Sequence, residues 1–399
     1  YPKYIDTLHH FTIHLAIKLA QKGFTITFIN TESTHYQITQ KNSNIDIFYS
    51  VQGHQDLDIR YMTVSDGQPV NFNRSLNHDQ FMASLLHVFS THVEEALVKT
   101  IESKLDPLVT CLIADSFFVF PGKLAKKYGL LYISFWTEPA LVFTLYYHLH
   151  LLKLHDQFKD MHEDPIDYIP GVRSIKPKDL MSYLQETDTT SMCHQIIFNA
   201  FNDVRNADFI LCNTELEYET ISALQIEKPY YAIGPIFPPE FTKSGVTTSM
   251  WFESDCTHQL DLKQHATVLY MSFGRFSFIW VLRPDIVSSD DPNRLPKDFE
   301  GEICGLFSKM SVDSLNNRRI LDSLWLKLNP GSHLIGLNLC DKNPITKVEI
   351  SEKIHNFMYG KLSDECRNAI KEVKKTLENN SLRAEGSFER NLDNFIGRV

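Results

Sequence analysis

Glycine is scarce in this sequence. The chain has 399 residues and 16 glycines, where average usage of roughly 7% would place about 28. Glycine lets backbone N–H groups close on an anion, so a glycine-rich nucleotide loop has little to be built from. No GxGxxG, Walker A, HExxH or GxSxG pattern occurs, which removes the dinucleotide, P-loop, zincin and hydrolase readings. Basic charge is short as well: 39 Lys and Arg against 49 Asp and Glu leave a net charge of −10. No Lys/Arg cluster offsets it, so nucleic acid is not an expected partner. The seven cysteines form no CxxC and leave an odd one over. Dispersed thiols of that kind fit small core residues in a reducing compartment, and the expected location is cytoplasmic. No long apolar run is present either. The most apolar stretch, Ala140–Leu152, is broken by His148 and His150 and is too short to span a bilayer. The N-terminal residues carry no charged-then-apolar leader and no initiator Met, as in a fragment.

What is present is an alternation of helices and buried strands. Ile13, Leu15, Ala16, Leu19 and Ala20 have helical spacing and stop at Gly23. A strand over 24–30 follows. Strand 109–114, a helix over 121–128 closed by Gly129, and strand 130–135 form a second unit, and 209–213 is a further strand. Short apolar runs alternating with helices predict an α/β fold with parallel sheets. Around Ile233-Gly234-Pro235 the pattern breaks. The division expected is a domain over 1–234, a polar linker over 235–266, and a second domain over 267–399 with a helical tail. In the second domain, 267–273 and 278–283 read as strands. Thr346 and Glu349 form a capping box opening a helix over 347–358, and 365–379 carries the alternating Glu and Lys of a solvated helix face.

Asp115 ends an apolar strand, and in open α/β sheets ligands bind beyond the carboxyl ends of the strands. It is a candidate for chemistry, beside its reading as a turn or cap residue. His9 and His10 precede the expected first helix, where an imidazole suits removal of a proton from a hydroxyl; a loop histidine is the plainer alternative. Asp56-Leu57-Asp58 matches the DxD pattern of some metal-dependent sugar transferases but is discounted as chance.

Several segments in order, His14–Ala20, Gly23–Asn30, Ala114–Phe120, Ser134–Ala140, Ile233–Pro235, Val268–Gly274, Ile279–Asp285 and Asn338–Lys353, resemble the plant UDP-dependent glycosyltransferases of family 1. The resemblance covers most of 13–300 and about 316–399. It implies a GT-B architecture of two Rossmann-like domains and inverting transfer of a sugar, glucose as the default, from a UDP-sugar to a hydroxyl of a small acceptor. It implies a His base held by an Asp, no metal and no cofactor beyond the UDP-sugar co-substrate, and a monomer. On this sequence the Asp is Asp115. The His falls at Leu8 without a gap and at His9 with one deletion. Thr137 stands where the family often contacts the donor sugar, and Phe117, Phe118 and Trp136 are candidates for an apolar acceptor pocket, with core packing the equal alternative. Ser272, Gly274 and Arg275 occupy the family's donor-phosphate turn, Arg275 replacing a small hydroxyl residue.

The departures are equally specific. The opening strand and its Gly-His turn are absent or rewritten. The strands near 268–273 and 278–283 lie too close for the family's helical crossover, leaving a tight hairpin or a strand outside the sheet. The donor signature, a Trp-Gln start, a His-Cys-Gly-Trp-Asn-Ser run and a closing Asp-Gln pair, is missing between Glu300–Gly305 and Asn316. The second domain is therefore expected to be incomplete and the activity impaired. The alternative is a catalytically inactive small-molecule binder or a truncated homologue without function.

Overall fold

The computed structural model describes most of residues 2–236 and 386–399, together with Leu269–Tyr270, Phe278–Ile279 and a few isolated positions between them; side chains are described from Phe11 onward. The chain divides into two compact units, residues 1–238 with 384–399, and residues 239–383.

The first unit opens with α1 (Pro2–Gln21), β1 (Ile26–Thr31), α2 (Glu32–Thr39), β2 (Ile59–Val64), α3 (His78–His87) and α4 (Phe89–Glu102). It continues through β3 (Cys111–Asp115), α5 (Pro121–Tyr128), β4 (Leu131–Trp136), α6 (Ala140–Tyr147), α7 (Leu149–Leu154), α8 (Met192–Val204), β5 (Phe209–Cys212), α9 (Tyr218–Glu227) and β6 (Tyr230–Ala232). β1 and β2 form a parallel pair, and β3-β4-β5-β6 a four-stranded parallel sheet in chain order. The α/β reading from hydrophobic patterning holds.

Local chemistry explains the boundaries. Pro121 occupies the first turn of α5, where its missing N–H is not needed. Gly129 ends that helix at φ 66°, a left-handed position natural to glycine. The Ser191 hydroxyl caps α8 by accepting from the His194 N–H at 3.3 Å. α1 departs from expectation. It begins at Pro2, not near residue 13, so His9 and His10 lie within the helix and do not precede it. The sequence carried that signal: Tyr4, Leu8, Phe11, Leu15 and Leu19 continue the helical spacing, and proline suits a first turn.

The largest core lies between the four-stranded sheet and the helices on one face. Trp136 is fully buried at its centre, its ring 5.2 Å from Phe117, 5.6 Å from Phe143 and 5.7 Å from both Tyr146 and Phe201. Edge-to-face and tilted pairs of this kind add to the stabilisation from burial.

The last helix, α10 (Ser387–Ile396), belongs to the first unit, although the sequence reading assigned residues 267–399 to the second domain. Its apolar stripe is the physical reason. Phe388, Leu392 and Phe395 are buried, and the Phe395 ring meets Phe209 of β5 and Tyr231 of β6 at 5.6 and 5.7 Å. Asn391 Nδ2 donates to the Ala232 carbonyl at 2.7 Å. Lys18 and Lys22 of α1 bind Glu389 and Asp393 at 2.8 and 2.6 Å.

In the second unit, β7 (Leu269–Tyr270) and β8 (Phe278–Ile279) pair in parallel, which replaces the tight hairpin expected there. The crossover argument applies to full-length strands. A ladder two residues long needs a return of about 7 Å along the strand, which the short connection spans. Of the helices expected over 347–358 and 365–379, the described positions Glu352, Asn356, Asn368 and Lys371 are helical; the rest of both segments and nearly all of the linker lie outside the described residues. Among the described residues no helix is long and apolar enough to cross a membrane.

Candidate functional site

The carboxyl ends of β3, β4 and β5 bring three sequence segments together. β3 ends at Asp115, which is paired in register with Phe135 of β4. The Ser116 N–H donates to the Phe135 carbonyl at 3.1 Å, and the Ser116 and Ser134 hydroxyls meet at 2.7 Å. Those bonds fix the turn that follows Asp115. One carboxylate oxygen, Oδ1, accepts the Phe117 N–H at 2.8 Å. The other, Oδ2, is buried with no hydrogen-bond partner among the described residues. Asp115 is 4% exposed. Burial pushes its carboxyl up to about 7, the Phe117 amide partly offsets this, and the charge of Glu138 pushes in the same direction as burial. A carboxyl balanced near neutrality at the end of a buried parallel strand is suited to holding or orienting a proton-transfer group.

Thr137 and Glu138 emerge from β4 beside it. Thr137 is buried, and Glu138 is half-buried, its carboxyl pushed up to about 7 by desolvation. At the end of β5, Asn213 Oδ1 accepts the Ile236 N–H at 2.8 Å while its Nδ2 is buried. Gly234 passes so near this point that an added Cβ would meet the Thr214 amide nitrogen and the Asn213 carbonyl carbon. Here glycine is required by close backbone approach, which accounts for the Ile233-Gly234-Pro235 motif.

The aromatic candidates separate. Trp136 and Phe117 lie in the core, where each packs ring against ring. Phe118 is half-buried on the other side, against Phe89 at 5.4 Å and Phe120 at 5.5 Å. The three are neighbours in sequence or register, but they do not share one surface. His9 and His10 sit on α1 with side chains outside the described residues, and Ser272, Gly274 and Arg275 also lie outside them. Asp115 and Thr137 are thus the expected site residues that the described structure brings to one edge. Glu138 and Asn213 were not singled out by sequence, although the Trp-Thr-Glu-Pro run placed an ionisable side chain directly after a strand.

Among the described residues, no three or more His, Cys, Asp or Glu side chains are grouped to hold a metal ion. Of the discounted DxD pair, Asp58 accepts the Thr25 hydroxyl at 2.7 Å and its carbonyl accepts the Ile26 N–H at 2.9 Å, so it serves the start of β1.

No protein-family model matches the chain. UDP-glycosyltransferase 86A2 of Arabidopsis thaliana is 44% identical over 442 residues, covering 96% of this chain and 90% of that protein. The (R)-mandelonitrile beta-glucosyltransferase of Prunus dulcis is 29% identical over 329 residues, 70% of this chain and 65% of the relative. Among solved structures, that of Phytolacca americana UGT2 complexed with UDP-2fluoro-glucose and pterostilbene superposes with a TM-score of 0.61 at 16% identity. It covers 94% of this chain and 99% of that one, and gives the fold as GT-B. With that identity sustained across nearly its whole length, the chain belongs to the plant UDP-glycosyltransferase family.

Proposed function

We propose that this protein binds a small hydroxylated acceptor at the carboxyl edge of the four-stranded sheet, and that its transfer of glucose from UDP-glucose is weak because the donor half is curtailed. The observation that carries the reading is Asp115, a buried carboxyl whose Oδ2 has no hydrogen-bond partner among the described residues, at the strand ends where α/β folds place ligands. In the reaction, a histidine, His9 or His10, takes the proton of the acceptor hydroxyl, and Asp115 orients that histidine and stabilises its charge. The oxygen attacks the anomeric carbon from the face opposite UDP. The bond to UDP breaks with inversion, and no metal or further cofactor takes part. Thr137 is assigned to the sugar, and Ser272, Gly274 and Arg275 to the phosphates.

Impairment follows from the missing donor signature. Stabilising the departing diphosphate is an electrostatic contribution of several kcal/mol in enzymes of this kind. The alignment with the Arabidopsis relative supports a gap: it runs to 442 positions although the chain has 399 residues, so positions of the relative have no counterpart here. The name of the Prunus dulcis relative supports glucose and a small hydroxyl acceptor. We further take the protein to be a cytoplasmic monomer, which light scattering and localisation of a tagged chain test directly.

Thermal shift and turnover decide the main reading together. A simple phenol or flavonoid should raise the melting temperature, and UDP should raise it by less than it does in a full-length relative. Labelled UDP-glucose should be turned over at least about a hundredfold more slowly than by a full-length relative assayed alongside. Turnover matching the relative removes the impairment, and the absence of any acceptor shift removes the acceptor site.

A further inference from the structure

Ser134 puts a hydroxyl in the middle of an apolar strand. It stands between Tyr132 and Trp136 on the alternating face of β4 that packs into the aromatic core, and it is fully buried. A hydroxyl removed from water there is unfavourable unless it is hydrogen-bonded. Its partner is the hydroxyl of Ser116, also fully buried, at 2.7 Å. Ser116 is the residue directly after Asp115.

The direction of each bond follows from the acceptors. Ser116 Oγ lies 3.1 Å from the Phe135 carbonyl, which can only accept, so the single Ser116 hydroxyl proton points there. The Ser116 oxygen is then the acceptor in the bond between the two hydroxyls, and Ser134 is the donor. The Ser116 N–H reaches the same carbonyl at 3.1 Å. Backbone and side chain of Ser116 thus both close on Phe135, the register partner of Asp115. The next amide, of Phe117, donates to Asp115 Oδ1 at 2.8 Å, and the Phe118 N–H donates to the Asp115 carbonyl at 3.1 Å. The relay that starts at Ser134 therefore ends on the peptide units that grip Asp115.

We propose that Ser134 is a positioning residue for Asp115: acting through Ser116, it pins the turn after β3 onto β4, which aims the Phe117 N–H at Oδ1 and leaves Oδ2 to orient the base. This rests on the assignment of Asp115 to acceptor activation. Two buried hydroxyls bonded to each other and to a carbonyl hold one geometry of the turn. The Phe117 ring is anchored separately, against Trp136 at 5.2 Å and Tyr146 at 5.5 Å. Loss of the relay thus loosens the backbone between Asp115 and that ring without removing either anchor.

Ser134→Ala removes the donor and adds no bulk. NMR of the full chain, labelled with nitrogen-15 and at Asp carboxyl carbons, reads the result, and Asp115→Asn identifies the Asp115 signal. In Ser134→Ala the Phe117 amide should exchange with solvent at least about tenfold faster, while the amides of Ile113 and Ile133 stay protected. The Asp115 midpoint should rise by about half a unit, because the Phe117 amide favours the charged carboxyl. Glu138, Tyr132 and Asp203 with Lys123 beside it are the other ionisable groups around this edge among the described residues, and they are the same in both chains. Ser116→Ala should give the same changes, and the double variant no more than either single one.

An unmoved Phe117 amide and Asp115 midpoint in natively folded Ser134→Ala overturn the proposal, as does faster exchange spread equally over β3 and β4. Where that variant does not fold, Ser116→Ala decides by the same readings. Where neither folds, the wild-type spectrum decides, and hydroxyl protons at 116 and 134 that exchange as fast as those of free serine overturn it. Adding phenol separates the two readings: if Ser134→Ala moves both signals and phenol moves neither, the positioning stands and the acceptor assignment is removed.

Discussion

Arg74 grips Asp66 with two parallel hydrogen bonds, Nε to Oδ2 at 2.6 Å and Nη2 to Oδ1 at 2.8 Å. The carboxylate is 3% exposed and the arginine side chain 13%. The remaining valences are filled: Ser33 and the Gln68 amide donate to Asp66, and Arg74 Nη1 donates to the Phe72 carbonyl at 2.9 Å. The pair ties the loop after β2 to the start of α2.

Removing one partner of such a pair strands the other in a dry site. Arg74→Ala should therefore destabilise the first unit by about 3–5 kcal/mol, read as a lowered urea midpoint. Arg74→Lys should recover only part, because an ammonium cannot make the two-pronged contact.

At Gly234 the objection to a side chain is steric. The added methyl of Gly234→Ala would press on backbone atoms of Asn213 and Thr214, which cannot swing aside. A loss of about 1–3 kcal/mol is expected, measured by denaturation. Gly23→Ala is the contrast: nothing lies within 4 Å of the added methyl, and the strain comes from φ alone, at 92°.

The contacts of α10 are unequal in worth. Phe395 is 2% exposed, so Phe395→Ala should cost about 3–5 kcal/mol. Lys22→Ala removes ion pairs with Glu389 and Asp393 that are open to water, and should cost under about 1 kcal/mol and less in high salt. Parallel melts of the two variants check the ranking.

Asp115 and Glu138 give stability a pH slope of definite sign. Each carboxyl binds its proton more tightly folded, near 7, than in the unfolded chain, near 4. Between those values the folded state holds the extra proton, so this contribution is full at the acid end and is lost as pH rises towards 7. Each group contributes up to about 1.4 kcal/mol per pH unit. Asp115→Asn should flatten the slope and raise stability at pH near 7 relative to wild type; an unchanged slope in denaturation series across that window rules the effect out.

The strands of the first unit were legible as plain apolar runs: Tyr132–Phe135 of β4 is buried on both faces, and Leu112-Ile113-Ala114 of β3, though only half-buried, carries the same apolar run. The helix after β3 was legible because Pro121 and Gly129 mark its two ends. α1 was cut short because its first half mixes His, Thr and Asp into the apolar spacing. α10 was placed in the wrong unit because three buried residues, Phe388, Leu392 and Phe395, show an apolar stripe but not what it meets. Asp115 was singled out by its expected place at a strand end, which is where β3 puts it. Glu138 was not singled out because its burial after β4 is a tertiary feature that the Trp-Thr-Glu-Pro run does not show.

The first unit is discontinuous in sequence, closing only when residues 384–399 join 1–238. On a ribosome adding about 5–20 residues per second, the intervening stretch takes on the order of ten seconds to appear. Through that interval the rings of Phe209 and Tyr231 wait for Phe395, and Lys18 and Lys22 wait for Glu389 and Asp393. The first unit is thus finished by residues made long after its other elements, and a premature stop in the second unit also damages the first.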